Sequence, residues 1–191
     1  MHKRIAIAAA AALVGCGGSA WVDPTSGNFT TADSADIMTM VSGAFSTVAR
    51  QPTQNPLLRS NAVYQSTSVN CAVSGTVTVA GDVNGSCNSS NTYCSFEGTL
   101  GITLAACTTQ NGLVGNDGLN IWARGSETLS GSTVTGFDVS EQMQGKITVT
   151  RASDGSPVGT CGINVAAHVV YDGTTETVHL SGTVCKQPVV Q

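Results

Sequence analysis

Apolar and polar residues alternate through most of the second half of the chain. In four successive segments, residues of one parity are mostly aliphatic, whereas the other parity holds mainly Thr, Ser, Asn and charged residues. The aliphatic parity is occupied by Val73, Gly75, Val77 and Val79, by Leu100, Ile102 and Leu104, by Leu119, Ile121 and Ala123, and by Met143, Ile147 and Val149. The segments "GINVAAHVVY" and "TETVHLSGTV" continue the pattern. Such alternation predicts antiparallel strands with one buried and one solvated face.

One earlier segment, "SADIMTMVSGAFSTVARQP", has helical periodicity instead. Its apolar residues recur every three or four positions, which predicts an amphipathic helix over about 33–50. They are Ile37, Met40, Val41, Ala44, Phe45 and Val48. Asp33 or Ser34 is expected to cap the start, and Pro52 prevents continuation.

Together these elements predict a mainly β (α+β) fold. The simplest architecture is an antiparallel meander, or a curled half-barrel-like sheet, of about six to eight strands packed on the one N-terminal amphipathic helix. Residues 32–191 are expected to form a single domain, with its β region at about 69–188.

Residues 1–15 have the organisation of a signal peptide. Lys3 and Arg4 give it a positive start, and the apolar run "IAIAAAAALV" follows. This run has ten residues, too few to span a bilayer as a helix. Export from the cytoplasm is therefore expected.

The apolar run ends in the motif Leu13-Val14-Gly15-Cys16. It resembles the lipobox of bacterial lipoproteins, in which an aliphatic residue, a small or aliphatic residue and Gly or Ala precede Cys. The resemblance implies cleavage before Cys16, lipidation of its thiol, and acylation of the new amino terminus by palmitate or a similar chain. Each buried methylene contributes about 0.8 kcal/mol, so several chains anchor a protein in effect permanently.

The residue after the anchor, Gly17, resembles that of lipoproteins sorted to the outer membrane. The expected location is therefore the cell envelope, most simply the outer membrane, on its periplasmic face or at the cell surface. Residues 16–31 are small, polar and Gly-rich, which predicts a lipidated N-terminus followed by a flexible tether. Trp21 in this segment has two interpretations: it sits among lipid headgroups, or it packs against the domain.

Seven cysteines are present, an odd number. Lipidation of Cys16 leaves six, which can form up to three disulfides in an oxidising compartment. A hairpin that pairs the segment 71–83 with the segment 93–106 brings Cys71 near Cys107 at its open end. The loop of this hairpin holds Cys87 and Cys94 close together, so the pairs Cys71–Cys107 and Cys87–Cys94 are predicted.

The remaining pair, Cys161–Cys185, flanks a hairpin whose turn is "DGTT". A two-residue Gly173-Thr174 loop, suited to a type II′ turn, aligns the apolar residues of both strands. In that register Cys185 opposes Gly162, and the two thiols point to opposite faces. A β-bulge at Gly162 is therefore expected to bring them together.

Composition excludes some functions. Only 10% of the residues are charged and the net charge is −4. No basic stripe remains once the leader is set aside, so nucleic acid is not an expected partner. No Gly-x-Ser-x-Gly, phosphate-loop, His-Glu-x-x-His or Cys-x-x-Cys motif is present, so neither catalysis nor a cofactor is expected.

His168 and His179 face each other in the register of the last hairpin. Two facing imidazoles supply two ligands for Zn²⁺ or Cu²⁺, but no third ligand is evident in the sequence. The alternative is an exposed cross-strand polar pair. No metal is therefore predicted, and these histidines are the only candidates.

Two functions remain. The first is a membrane-anchored envelope lipoprotein with a structural or interaction role, attached through Cys16. The second is a carrier for a lipid or other apolar ligand held between sheet and helix. That carrier would need a cavity, whose candidate lining residues are Met40, Phe45, Val77, Leu100, Ile102, Ile121, Val165 and Leu180.

Overall fold

The computed structural model describes residues 21–49, 62–131 and 133–190, the side chains of 43–49, 62–67 and 190 excepted. These residues form one helix and nine strands, and all the strands belong to one antiparallel sheet. The helix is α1 (Thr31–Ala49), and the strands are β1 (Ser26–Gly27), β2 (Ala62–Asn70), β3 (Thr76–Cys87), β4 (Tyr93–Thr108), β5 (Leu113–Ser130), β6 (Thr133–Arg151), β7 (Pro157–Tyr171), β8 (Glu176–Val184) and β9 (Gln187–Val190). The prediction of a mainly β fold is confirmed.

Strands β2 to β9 lie side by side in chain order, which makes the sheet a meander. Each strand pairs antiparallel with the next, the arrangement that short turns can connect. The short strand β1 lies outside this order and pairs with the start of β7, with Ser26 opposite Thr160. Within the described residues β2 and β9 do not pair, so the sheet is open.

The core lies on one face of the sheet, called here the inner face. Its buried aliphatic residues alternate along the strands, and they include Val77, Val79, Leu100, Ile102, Leu104, Leu119, Ile121, Ile147, Val149, Ile163 and Val165. Ile37 and Val41 of α1 are fully buried in the same cluster. The helix contacts β2, β3, β4, β5 and β8.

Strand β2 precedes the predicted β region, so the expected start near residue 69 is wrong. The register between β2 and β3 shifts between Tyr64 and Thr67. A shift of this kind breaks the period of two by which strands are recognised in a sequence. Val73 was expected on a buried face but is exposed, because residues 71–75 lie outside the strands and β3 begins only at Thr76.

The helix begins two residues earlier than predicted, and its cap is Thr30 rather than Asp33 or Ser34. The Asp33 backbone N–H donates to Thr30 Oγ1 (3.1 Å), and the Thr30 N–H donates to Asp33 Oδ2 (2.8 Å). This reciprocal pair satisfies two backbone donors that a helix start leaves free. Within the described residues, no helix is both long and apolar enough to pass through a lipid bilayer.

The segment before the helix is not the flexible tether expected for residues 16–31, at least from Trp21 onward. Thr25 is buried, and its Oγ1 accepts a hydrogen bond of 2.8 Å from the Gly162 N–H of β7. Trp21 is half-buried and its indole nitrogen is shielded from solvent, which favours the packed alternative. Phe29 is buried in the core cluster. The residues look like a linker in composition, but backbone pairing and burial attach them to the sheet.

Three disulfides join Cys71 to Cys107, Cys87 to Cys94 and Cys161 to Cys185. These are the pairs derived above from the strand registers.

The bulge predicted at Gly162 is wrong, because β7 and β8 pair without a register shift up to Ile163 and Val184, and the Cys185 N–H then donates to the Gly162 carbonyl. Instead β8 ends at Val184, and Cys185 turns into the left-handed region with a φ of 50°. That turn redirects the Cys185 side chain toward Cys161.

Candidate functional site: a groove on the outer face

Polar side chains form rows across the outer face, which is the face opposite the core. One row of cross-strand neighbours runs from β3 to β8 and consists of Asn84, Glu97, Arg124, Ser140, His168 and His179. The adjacent row, nearer the β3–β4 turn, consists of Ser86, Ser95, Ser126 and Asp138. Because side chains alternate between faces, every member of these rows projects away from the core.

A groove of about 630 Å³ lies over these two rows, between β3 and β6. Its lining includes Glu97, Arg124, Asp138 and several Ser hydroxyls. The Tyr93 side chain also lines it, and this residue is 48% exposed. A smaller depression of about 260 Å³ adjoins the groove and shares Ser126 and Asp138 with it.

The β3–β4 turn holds one end of the groove rigid. The Cys87–Cys94 disulfide joins two directly paired residues at the end of this hairpin. Within the turn, Asn88 Oδ1 accepts from the Thr92 N–H, and Asn88 Nδ2 donates to Thr92 Oγ1, both at 2.9 Å. Covalent and polar restraints therefore fix the position of Tyr93, which follows the turn.

The charged side chains of the groove are not neutralised by one another. Glu97 and Arg124 are direct cross-strand neighbours, yet no salt bridge joins them. The Arg124 guanidinium instead lies over the Trp122 ring, 5.4 Å from its centre, in a cation–π contact. This contact holds the guanidinium against the sheet and leaves its N–H donors available to a ligand.

The two candidate histidines lie opposite each other, in the register derived from the sequence. The structure adds a partner: His168 Nε2 lies 2.8 Å from Asp138 Oδ1, and both side chains are about half exposed. The histidine pair is therefore linked to the groove through Asp138, which lines it. Within the described part of the chain, no group of three or more His, Cys, Asp or Glu side chains is placed to hold a metal ion.

Two carboxylates that the sequence pattern did not predict to be buried lie on the inner face. Glu127 of β5 is buried between Cys94 and Phe137, and its Oε2 has no hydrogen-bond partner. Burial raises the pKa of Glu127, and it also raises the pKa of Glu141, which lies between Ala123 and Ala167. The alternation of faces along β5 could have identified Glu127, because it places this residue on the same face as the buried Ile121.

The candidate cavity residues are mostly packed. Val77, Ile102 and Ile121 expose no surface, and Leu100 and Val165 are also buried. A side chain that borders a cavity large enough for water exposes surface to that cavity. No such cavity therefore touches Val77, Ile102 or Ile121. Leu180 is half-buried, and Met40 fills the space above Gly115, where its Cε would lie 2.6 Å from an added Cβ.

Cys16 and the Phe45 side chain lie outside the described residues. Comparison with protein-family models, with curated proteins and with solved structures finds no match to this chain.

Proposed function

We propose that this protein is a lipid-anchored lipoprotein of the bacterial cell envelope, with a structural or interaction role. The observation that carries this proposal is the cysteine count. Six of the seven cysteines are paired within the sheet, and the seventh, Cys16, ends the lipobox-like motif. A lipid thioether at Cys16 accounts for the odd thiol, and three disulfides suit a compartment outside the cytoplasm.

The proposed anchor would hold the domain close to the membrane. Residues 23–27 pack on β7 or pair with it, so only residues 17–22 separate Cys16 from the sheet. The seven steps from Cys16 to Asp23 span at most about 25 Å when fully extended. The start of β7, where Thr25 binds Gly162, would then face the lipid surface, and the outer membrane is the proposed location on the basis of Gly17.

We also propose that the sheet curls around α1 as a half-barrel. The helix contacts β2 to β5 and also β8, strands from opposite sides of the sheet order. A flat sheet of this width could not reach one helix from both sides, since neighbouring strands lie about 4.8 Å apart. In such a curled sheet, the outer face is the side of the domain that is exposed to solvent.

The interaction role is preferred to the carrier role. Three of the proposed cavity residues, Val77, Ile102 and Ile121, leave no water-sized space beside them, whereas an apolar carrier needs a hollow there. The outer face, by contrast, has an accessible polar groove. No catalytic step is part of the proposal.

Replacement of Cys16 tests the proposed lipid anchor. The Cys16→Ser variant of the full chain is expected to lose labelling by a palmitate analogue and to move from the membrane fraction to the soluble fraction. Wild type is expected to carry the label and to enter the detergent phase of Triton X-114. The matched control is Ser19→Ala, beside the motif, which is expected to behave as wild type.

Peptide mapping without reduction keeps the result interpretable, because both variants should retain the three disulfides. A Cys16→Ser protein that still fractionates with membranes, or that still takes up the acyl label, would contradict the lipid anchor.

A further inference from the structure

The groove on the outer face contains polar groups whose hydrogen-bonding capacity is not used within the described part of the protein. Among the described residues, the side chains of Asn84, Glu97, Arg124, Ser126 and Ser140 make no hydrogen bond to another protein group, although they lie close together on neighbouring strands. If this surface contributed only to stability, Glu97 and Arg124 would be expected to form a salt bridge, since opposite charges on directly paired residues are favourable.

These groups offer donors and acceptors in alternation. Arg124 can only donate, Glu97 and ionised Asp138 can only accept, and the Ser hydroxyls can do both. Strands place them on a grid about 4.8 Å apart across the sheet. A ligand that satisfies such a grid must itself carry many small groups that both donate and accept, which is the character of sugar hydroxyls.

The charge of the groove excludes other ligands. One guanidinium against two carboxylates does not form the positive surface that a phosphate backbone or other polyanion requires. The polar lining gives an acyl chain little apolar area to bury, because Phe96, its largest apolar side chain, is itself buried in the core. A neutral, hydroxyl-rich ligand fits both conditions.

An accessible aromatic ring completes the groove. Tyr93 is 48% exposed, although a free aromatic ring at a surface loses the favourable burial of its faces. The Cys87–Cys94 disulfide and the Asn88 hydrogen bonds fix its backbone, so stacking on this ring would cost little conformational entropy. Aromatic rings recognise the apolar faces of cyclic ligands in this way, beside the hydrogen bonds that orient them.

We propose that this groove binds a neutral glycan chain, stacked on Tyr93 and hydrogen-bonded by Glu97, Arg124 and Asp138. The expected position of the groove relative to the membrane rests on the proposed function, in which the segment before α1 is held near the lipid surface. The two polar rows meet β7 at His168 and Val170, whereas that segment binds β7 at Gly162. Eight residues of strand separate Gly162 from Val170, or about 26 Å. The groove therefore lies away from the proposed lipid surface, where it would be accessible to the glycans of the envelope.

The full-length protein, solubilised in detergent, is to be sedimented with insoluble cellulose, chitin and amylose. Wild type is expected to be retained by at least one of them. Tyr93→Ala, Glu97→Gln and Arg124→Ala are each expected to reduce retention at least tenfold on that polysaccharide. The matched controls Glu176→Gln and Lys146→Ala remove the same charges from exposed positions outside the groove, and retention is expected to be unchanged.

Equal loss of retention in the control variants would overturn the proposal, as would a wild-type protein that none of the three polysaccharides retains. A protein ligand in this groove would produce the second result. Unfolding temperatures of all variants show whether a loss reflects unfolding, and Glu97→Gln, which preserves side-chain volume, remains informative if Arg124→Ala is unstable. Neither result bears on Cys16, so failure of this proposal leaves the lipid anchor to be tested separately.

Discussion

Glu127 is the residue whose burial is hardest to explain by packing alone. It occupies a core-facing position of β5 beside the buried Cys94, and its Oε2 has no partner. Loss of water around the carboxylate disfavours its charged form, which is why the pKa of Glu127 is raised. A carboxyl group with a raised pKa in the folded state stabilises the protein only at pH values low enough to keep it protonated.

The pH dependence of stability tests this interpretation. The folded state binds the Glu127 proton more tightly than the unfolded state, so stability should fall as pH rises above the unfolded value and through the raised folded pKa. Glu127→Gln stays neutral, and it should therefore unfold about 2–4 °C above wild type at pH 7.5, equivalent to about 1 kcal/mol, with a much smaller difference at pH 4. Thermal denaturation at both pH values measures it.

Glu176→Gln, at an exposed position of β8, is the control and should match wild type at both pH values. A Glu127→Gln advantage of the same size at pH 4 and pH 7.5 would exclude ionisation as its cause.

At the scale of elements, hairpins and disulfides reinforce each other. The β7–β8 hairpin has Gly173, with a φ of 95°, at its turn, and Asp172 accepts hydrogen bonds from the backbone N–H groups of Thr174 and Thr175. The Cys161–Cys185 disulfide closes the other end of this hairpin and lies in the buried core. The Cys87–Cys94 disulfide closes a much shorter loop, and Cys87 is exposed.

The two disulfides should therefore differ in their contribution to stability. Their sequence separations are 24 and 7, and closing the longer loop removes more entropy from the unfolded chain. Replacing both Cys161 and Cys185 by Ala is expected to lower the free energy of unfolding by about 3 kcal/mol, against about 2 kcal/mol for the Cys87 and Cys94 pair. Burial of Cys161 and Cys185 adds to the difference. Urea denaturation of both double variants measures it, and an equal or reversed order would contradict this account.

At the scale of the whole molecule, the segment before α1 decides how the domain is attached. Gly162 lies under this segment, and a Cβ at Gly162 would lie 2.4 Å from Asp23 Oδ1 and 2.7 Å from Pro24 Cδ. Only glycine permits this approach. The rows of the groove meet β7 at His168 and Val170, beyond Gly162 along the strand, so the length of β7 separates the proposed membrane side from the proposed ligand side.

Gly162→Ala is therefore expected to displace residues 23–27 and to lower the free energy of unfolding by about 1–3 kcal/mol, as overpacking does. Chymotrypsin should then cleave after Phe29, which is buried in the wild-type core. Thermal unfolding and limited proteolysis measure the two effects. The control is Gly101→Ala in β4, where the nearest atoms to an added Cβ are at ordinary distances of 3.7 and 3.8 Å. If both variants resist chymotrypsin as wild type does, the contact at Gly162 is not what holds the segment.

The groove was only partly predictable. Strand parity assigns Glu97 and Arg124 to the outer face, and the hairpin register places His168 opposite His179. The bond from His168 to Asp138 was not predictable, because it depends on the pairing of β6 with β7, which the turn "SDGSP" does not specify to the residue. The cation–π contact of Arg124 with Trp122 likewise depends on side-chain conformation.

By itself, the sequence determined the mainly β fold, the inner and outer faces of the long strands, and the three cysteine pairs. Alternation of apolar and polar residues defines the faces, and the position of a turn defines the register of its hairpin, so both can be recognised from neighbouring residues. Only the tertiary structure decided that residues 23–27 are attached to β7, that Cys185 turns instead of Gly162 bulging, and that Glu127 Oε2 lacks a hydrogen-bond partner. The bond from Gly162 to Thr25 joins residues 137 positions apart. Local patterns carry no information about such contacts, since they form only when distant strands have already been brought together.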